Sequence, residues 1–262
     1  MSKTARSDRL AGKTALVTGG AYGERASLGA AFAKALAAAG ARVAVADVKG
    51  TADVVRDIEA DGGEAFSIEA DVSDEKQVAA MVAKTTEQFG SLDILVNNAG
   101  IGSNIPPVQV TDLSVKDWDA LMAVNVRGPF LCVKAVAPIM KQKKYGKIIN
   151  IGSTTMMTGL THRLHYVAAK GAILAMTRSL AGELGPFGIR VNATAFGLVA
   201  SGVTDAAFKA DPAREMRVLE ARALPIHYRP DDLGATIVFL ASPDSDHMTG
   251  QCLVVNAGEF YY

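Results

Sequence analysis

The sequence predicts an α/β protein built on a doubly wound parallel sheet of about seven strands, with helices on both faces. Three observations carry this expectation. Short apolar and β-branched runs alternate regularly with helical patterns, which is how a parallel sheet with crossover helices reads. The clearest run, Lys147-Ile148-Ile149-Asn150-Ile151, is apolar nearly throughout instead of alternating, as a strand covered on both faces should be. The 262 residues, 49% of them hydrophobic, are enough for one domain with a full core, so 1–262 is read as a single unit.

Taken in order, Thr14 to Thr18 forms the first strand and runs into the turn Gly19-Gly20. An alanine-rich helix follows from about Ser27 to Ala39, stopped by Gly40. Arg42 to Asp47 is the second strand, and a polar helix begins after Lys49. A strand near Ala65 to Glu69, a helix from Asp74 to Phe89 and a strand from Ile94 to Asn97 continue the alternation. Ser114 to about Lys143 reads as one long helix, with Pro138 expected to kink or tighten its last turns. The Lys147 strand ends at Gly152, and the next helix opens near His162. Arg190 to Ala195 and Gln251 to Val255 supply the last strands, with a helix starting near Asp231 between them. Only 197–228 breaks the rhythm. Rich in Ala, Lys, Arg and Pro, it holds two short helical stretches over the carboxyl ends of the strands, the place for a substrate lid. There is no internal repeat.

Charge and composition exclude several classes. With 27 basic and 27 acidic residues the net charge is zero, so neither nucleic acid nor an anionic membrane surface is an expected partner. Cys132 and Cys252 fall in a helical and a strand pattern and read as small core hydrophobes. The first residues have no signal-peptide core, and Lys34 and Arg42 interrupt the most apolar run. A cytoplasmic protein acting on a small molecule is expected, without a metal site.

The chemistry-bearing residues cluster around the Lys147 strand. Ser153, Thr154 and Thr155 stand at its carboxyl end, and Tyr166 and Lys170 are spaced i, i+4 on one helical face. A phenol beside an ammonium is a device for proton transfer, because the cation favours the phenolate. Bringing a phenol pKa from about 10 down by ~3 takes roughly 4 kcal/mol, which a lysine and a cationic cofactor ring would share. On a surface helix the pair alone means little. A serine thirteen residues before the tyrosine and a glycine turn after the first strand give it context. Strand, glycine turn, helix and strand form a dinucleotide-binding unit, in which Asp47 stands where an acid binds the adenosine ribose and repels a 2′-phosphate. Asp47 therefore points to NAD over NADP, and Arg25 is the one nearby cation that would favour the phosphate.

These residues resemble the short-chain dehydrogenase/reductase family from about Leu10 to Gly258. The match rests on Ser153 with Tyr166-x-x-x-Lys170, on Asn97-Asn98-Ala99-Gly100, and on Asn125 in the following long helix. The resemblance implies a Rossmann-like fold with Tyr166 as general acid/base and Ser153 on the substrate oxygen. It makes Lys170 a ligand of the nicotinamide ribose and a brake on the phenol pKa, with Asn125 holding a water in the proton path. It also implies that Gly19, Ser27, Leu28 and Gly29 face the pyrophosphate, Asp71 and Val72 the adenine, and Asn98, Ala99 and Gly100 the cofactor. Val199 and Ser201 would meet the carboxamide.

Two departures stand out. The family pattern of Thr-Gly, three residues, then Gly-x-Gly is stretched here, so that Tyr22 to Arg25 looks inserted and Ser27 replaces a glycine. Ser27 is expected to cap the helix and offer its hydroxyl to a phosphate. The long loop resembles that of bacterial enoyl-acyl-carrier-protein reductases, but those separate tyrosine and lysine by six residues, and here Leu164 stands six before Lys170. After the sixth strand Phe196 replaces a proline, placing an aromatic ring in the pocket or against the lid.

The expected activity is the interconversion of a secondary alcohol and a ketone with NAD. Thr155, Met156 and Phe196 would line an apolar pocket, and the segment looks like the branch that oxidises aryl and other hydrophobic alcohols. A 3-oxoacyl thioester reductase is the alternative within the enzyme class, although such reductases generally prefer NADP. A non-catalytic NAD-sensing scaffold is the other, against which both Tyr166 and Lys170 argue. Apolar residues on more than one face of the Asn125 and Tyr166 helices imply an interface. By resemblance these helices pair across a twofold axis in a homotetramer, with the apolar tail Glu259 to Tyr262 docking at a second axis.

Overall fold

The computed structural model describes residues 8–23, 27–102 and 105–261. Its elements run β1 (Thr14–Thr18), α1 (Leu28–Ala38), β2 (Arg42–Asp47), α2 (Ala52–Ala60), β3 (Glu64–Glu69), α3 (Glu75–Phe89) and β4 (Ile94–Asn97). Then come α4 (Val115–Met122), α5 (Gly128–Lys143), β5 (Gly146–Ser153), α6 (Thr155–Thr158), α7 (Leu164–Leu184) and β6 (Ile189–Phe196). The chain closes with α8 (Gly202–Ala210), α9 (Pro212–Glu220), α10 (Pro230–Ala241) and β7 (Cys252–Val255).

All seven strands are parallel, in the order β3-β2-β1-β4-β5-β6-β7. The order reverses between β1 and β4, and in such sheets ligands bind beyond the strand carboxyl ends at that point. Successive side chains of a strand face opposite ways, so each strand feeds two cores. Val17, Val96 and Ile149 pack with Phe32, Leu36 and Ile237 on the α1–α10 side. Their neighbours Leu16, Leu95 and Ile148 pack with Met81, Cys132 and Met140 on the α3–α5 side. Both faces are thereby covered, which explains the unbroken apolar runs.

Strand β5 runs two residues beyond Ile151, to Ser153. Its pairing with β6 is maintained from Gly146↔Ile189 to Ser153↔Phe196, so Gly152 does not end the strand as expected. Helix α7 opens at Leu164, two residues later than predicted, because His162 has φ 60° and Arg163 φ −138°, neither helical. The long helix is interrupted by a π-helical turn at Ala123–Arg127, and Pro138 lies inside α5 without ending it. Val115–Lys143 is long and apolar enough to cross a membrane by length and composition alone. Its Leu131, Cys132, Val136 and Met140 are buried in the core, and that packing accounts for the apolarity.

Candidate active site

The turn after β1 is held from behind. Thr18 receives backbone N–H groups from Asn98 and Ala99 on its hydroxyl, both at 3.1 Å, while the Asn98 amide donates to the Thr18 and Gly19 carbonyls at 3.0 and 2.8 Å. Gly19 has φ 68°, and a Cβ there would stand 2.6 Å from the Ala99 Cα. A Cβ on Gly29 would stand 2.1 Å from the Gly19 carbonyl oxygen. Only glycines let the N-terminus of α1 and the turn approach this closely. The cradle they leave fits a pyrophosphate at a helix N-terminus, and these residues fit a dinucleotide.

Ser27 departs from expectation. It occupies the residue before α1 with φ 39° and makes no side-chain cap bond to the helix. Its hydroxyl instead meets Gly23, accepting from the amide at 3.0 Å and donating to the carbonyl at 3.3 Å. The left-handed backbone points the side chain back into the longer loop, so the hydroxyl closes that loop. Arg25, the cation weighed against Asp47, lies outside the described residues. Tyr22, at the start of the expected insertion, hydrogen-bonds Asp57 on α2.

Asp47 ends β2 with both carboxylate oxygens engaged by backbone, accepting from Ala21 at 3.1 Å and Lys49 at 3.0 Å. That fixes an acid beside the glycine turn. At the end of β3, Asp71 accepts the Ser73 amide at 2.8 Å. Val72 is buried, and a Cβ on Gly128 would meet its side chain at 2.8 Å, so the start of α5 backs it directly.

The catalytic candidates converge at the carboxyl end of β5. The Ser153 hydroxyl accepts from the Thr155 amide at 3.3 Å and from the Thr155 hydroxyl at 3.0 Å. Its own proton remains available to the Tyr166 phenol, whose pKa the Ser153 hydroxyl helps to lower. Lys170, 8% exposed, donates from Nζ to the Ile151 carbonyl at 2.7 Å, and that Nζ lies 5.8 Å from the Tyr166 ring centroid. Burial lowers its pKa to about 8. The phenol of Tyr166 is raised, chiefly by burial, against the opposing Ser153 hydrogen bond and the charge of Arg163. In the free protein, then, the phenol is not yet acidified.

Asn125 sits in the π-helical turn, a device that frees a side chain from the regular ladder. It accepts from the Ile101 amide at 2.7 Å and donates to the Ile101 carbonyl at 2.6 Å, while Gly100 leaves room for it. The loop after β4 continues to Gly102, where a Cβ would stand 2.1 Å from Cε2 of Tyr166. Thr18, Gly102 and Arg163 thus join the site without a role assigned from the sequence. Gly102 and Arg163, joined across 61 residues, carry no spacing signal, and Thr18, although it opens the Thr-Gly pattern, takes its role from contacts across 80 and 81 residues.

The lid and pocket are mixed in outcome. Two short helices, α8 and α9, occupy the 197–228 segment as expected. Thr155 and Met156 stand beside Ser153 on α6. Phe196 does not line the pocket: it is 4% exposed and packs on Phe32 of α1, with ring centroids 5.9 Å apart. As the last residue of β6 it points into the α1 layer, so its ring belongs to the core. Ser201 spends its hydroxyl on Thr204 in a capping box at the start of α8, and Val199 packs at the edge of the core.

A family model described as Enoyl-(Acyl carrier protein) reductase matches residues 20–259. The chain belongs to the short-chain dehydrogenase/reductase family. It is 38% identical over 251 residues to a 3-oxoacyl-(acyl-carrier-protein) reductase of Staphylococcus aureus, covering 95% of this chain and 98% of that protein. A short-chain reductase of Streptomyces niveus is 38% identical over 250 residues, covering 93% and 92%. A solved structure from Sinorhizobium meliloti, described as a short-chain alcohol dehydrogenase, superposes with a TM-score of 0.87 at 36% identity, covering 95% of this chain and 97% of that one. As a member of this family the protein is an oxidoreductase with a Rossmann-like fold.

Proposed function

We propose that the enzyme interconverts a secondary alcohol and a ketone with NAD(H), on substrates with an apolar or aryl body. The observation that carries this reading is the convergence of Ser153, Tyr166 and Lys170 at the end of β5, beside the glycine cradle. Gly19, Leu28 and Gly29 would hold the pyrophosphate, Asp47 the adenosine ribose, Asp71 and Val72 the adenine, and Lys170 with Asn98 to Gly100 the nicotinamide ribose. Ser27, Val199 and Ser201 complete the expected rim. Bound nicotinamide supplies or takes up the hydride at the carbinol carbon. In oxidation, Tyr166 as phenolate takes the hydroxyl proton while the C–H electron pair leaves as hydride. In reduction, the phenol returns that proton to the ketone oxygen. Ser153 holds the same oxygen, and Asn125 stands beside the proton path. Met156, Met157 and Leu160, on α6 and just after it, give the substrate an adaptable apolar wall.

The names of the 3-oxoacyl-(acyl-carrier-protein) reductases, at 38% and 37% identity, favour a second reading, reduction of a 3-oxoacyl thioester. A panel of ketones, secondary alcohols and a 3-oxoacyl thioester, each with NAD(H) and NADP(H), separates the two. Turnover of the thioester with NADPH far above any simple ketone would replace the first reading. Nucleotide binding without turnover would point to a sensing scaffold. Within the first reading, Tyr166→Phe should keep cofactor binding and lose all but about 1% of the rate. Retention of more than a few per cent would remove Tyr166 from its role.

The same reading makes the enzyme a homotetramer. A groove of about 700 Å³ runs between α4, the π-helical turn and α7, lined by Met122, Val126, Phe130, Met176 and Leu180. Of the apolar positions behind the expected interface, Leu131, Val133, Val136 and Ile173 are buried in the core, whereas Phe130, 50% exposed, and Met176 line the groove where a second copy would pack. The tail, whose Phe260 carbonyl is tied to Asn256, would dock at the other axis. A cytoplasmic location accords with two free cysteines.

A further inference from the structure

Resting on the reading above, and refining its substrate class, we infer that Arg163 binds a carboxylate on the substrate, so that the favoured alcohols are hydroxy acids with an apolar body. Arg163 immediately precedes α7 and stands three residues before Tyr166. Its Nη1 donates to the Gly102 carbonyl at 3.2 Å. Gly102 is also the residue packed against the Tyr166 ring, so this bond ties Arg163 to the loop that backs the phenol. The charge also reaches the phenol, which it helps to pull back from the rise caused by burial.

The remaining donors of Arg163 carry the argument. A guanidinium offers five N–H groups in a planar fork that matches a carboxylate. Among the described residues Arg163 uses one backbone acceptor and forms no ion pair, although it is half-buried. Two other shielded arginines make more polar contacts than Arg163, although the Arg222 Nε is buried with no partner among the described residues, and half-buried Arg42 bonds Thr14 and lies over the Phe89 ring. Arg222 donates to the carbonyls of Ile226 and Leu198, and Arg190 reaches Gly188 and both the backbone and the carboxylate of Asp246. A half-buried cation with donors left over, tied to the loop that backs Tyr166, suits an anion that arrives with the substrate.

The test compares 2-hydroxybutanoate, 3-hydroxybutanoate and mandelate with their methyl esters as substrates of the wild type, Arg163→Lys and Arg163→Gln. Any change in Tyr166 acts on acid and ester alike, so the quantity read is the ratio of their kcat/KM values. For the best acid the wild type should favour acid over ester by about 10- to 100-fold, mostly in KM. Arg163→Gln should bring the ratio near one and Arg163→Lys should restore part of it. A wild-type ratio near one, or a ratio unmoved by Arg163→Gln, overturns the assignment.

A second measurement needs no turnover. With NADH present, butanoate but not butanamide should raise the melting temperature of the wild type, and butanoate should fail to do so in Arg163→Gln. Equal shifts for the two ligands, or no shift with butanoate, overturn it. A butanoate shift confined to the wild type, without oxidation of any alcohol, would retain the anion site and remove the reaction class. Turnover of esters in preference to acids would do the reverse.

Discussion

Replacing Gly102 by alanine tests whether the loop after β4 positions Tyr166, the proposed general acid/base. The new Cβ would stand 2.1 Å from Cε2 and 2.3 Å from Cδ2 of Tyr166. Carbon atoms rest at about 3.5 Å or more, so the ring or the loop must retreat by about 1.4 Å. The backbone of Gly102 is not in the left-handed region, so the methyl is the whole perturbation. A misplacement near 1 Å in a reacting group costs about 100-fold in rate. We expect kcat to fall by roughly that factor. Cofactor affinity, read from NADH fluorescence, should stay within about threefold, because the glycine cradle lies elsewhere. Stability should drop by about 1–3 kcal/mol, the usual cost of overpacking. A kcat within threefold of wild type in a folded protein would refute the claim that Gly102 backs the phenol.

Three further outcomes are expected. Wild-type kcat/KM should favour NAD(H), and Asp47→Ala should erode the preference by at least about tenfold; a wild type that works better with NADP(H) ends that argument. Lys170→Met should abolish turnover yet raise stability at neutral pH. The folded-state pKa of about 8 lies below the lysine value of 10.5, so the folded chain binds fewer protons between them. Its cost is therefore fully present below pH 8, roughly 3 kcal/mol, and fades as pH rises toward 10.5. The melting-temperature advantage of Lys170→Met should shrink over that window, and an advantage independent of pH would contradict the burial argument. In light scattering, the wild type should have four times the chain mass and Phe130→Glu should form smaller species; a monomeric wild type at micromolar concentration would remove the proposed assembly.

Much of this was legible in the sequence because parallel sheets write themselves plainly. Strand β4 needs only Ile94 to Val96 to be recognised, since both faces are buried and every residue is apolar. What escaped depends on backbone conformation or distant contact. The π-helical turn at Asn125 leaves the apolar pattern of the long helix intact, so nothing in the spacing betrays it. Ser27 is a good cap by residue type, but its left-handed φ turns the hydroxyl toward Gly23. Phe196, at the very end of β6, would line the pocket by position alone. Strand alternation instead sends its ring toward Phe32, and which face each position takes is set by the register with β5.

The two central groups are shifted in the same sense, toward neutrality. Burial raises the phenol of Tyr166 and lowers the ammonium of Lys170 to about 8. Lys170 donates to the Ile151 carbonyl, so in the free protein it is anchored to β5 and not to the phenol. From the i, i+4 spacing, lysine and cofactor are expected to lower the phenol pKa together. The geometry gives the lysine the smaller share until a ligand draws its remaining protons toward the cleft. What opposes the burial of the phenol is the Ser153 hydroxyl, itself polarised by Thr155, and the guanidinium of Arg163. A site built this way withholds phenolate character while solvent can reach it, and gains it as a cationic nicotinamide and a substrate oxygen replace water. That ordering explains why Thr155, Ser153, Gly102 and Arg163 are held by local bonds before any ligand arrives. They fix the phenol in place, and charge is the one element left for binding to supply.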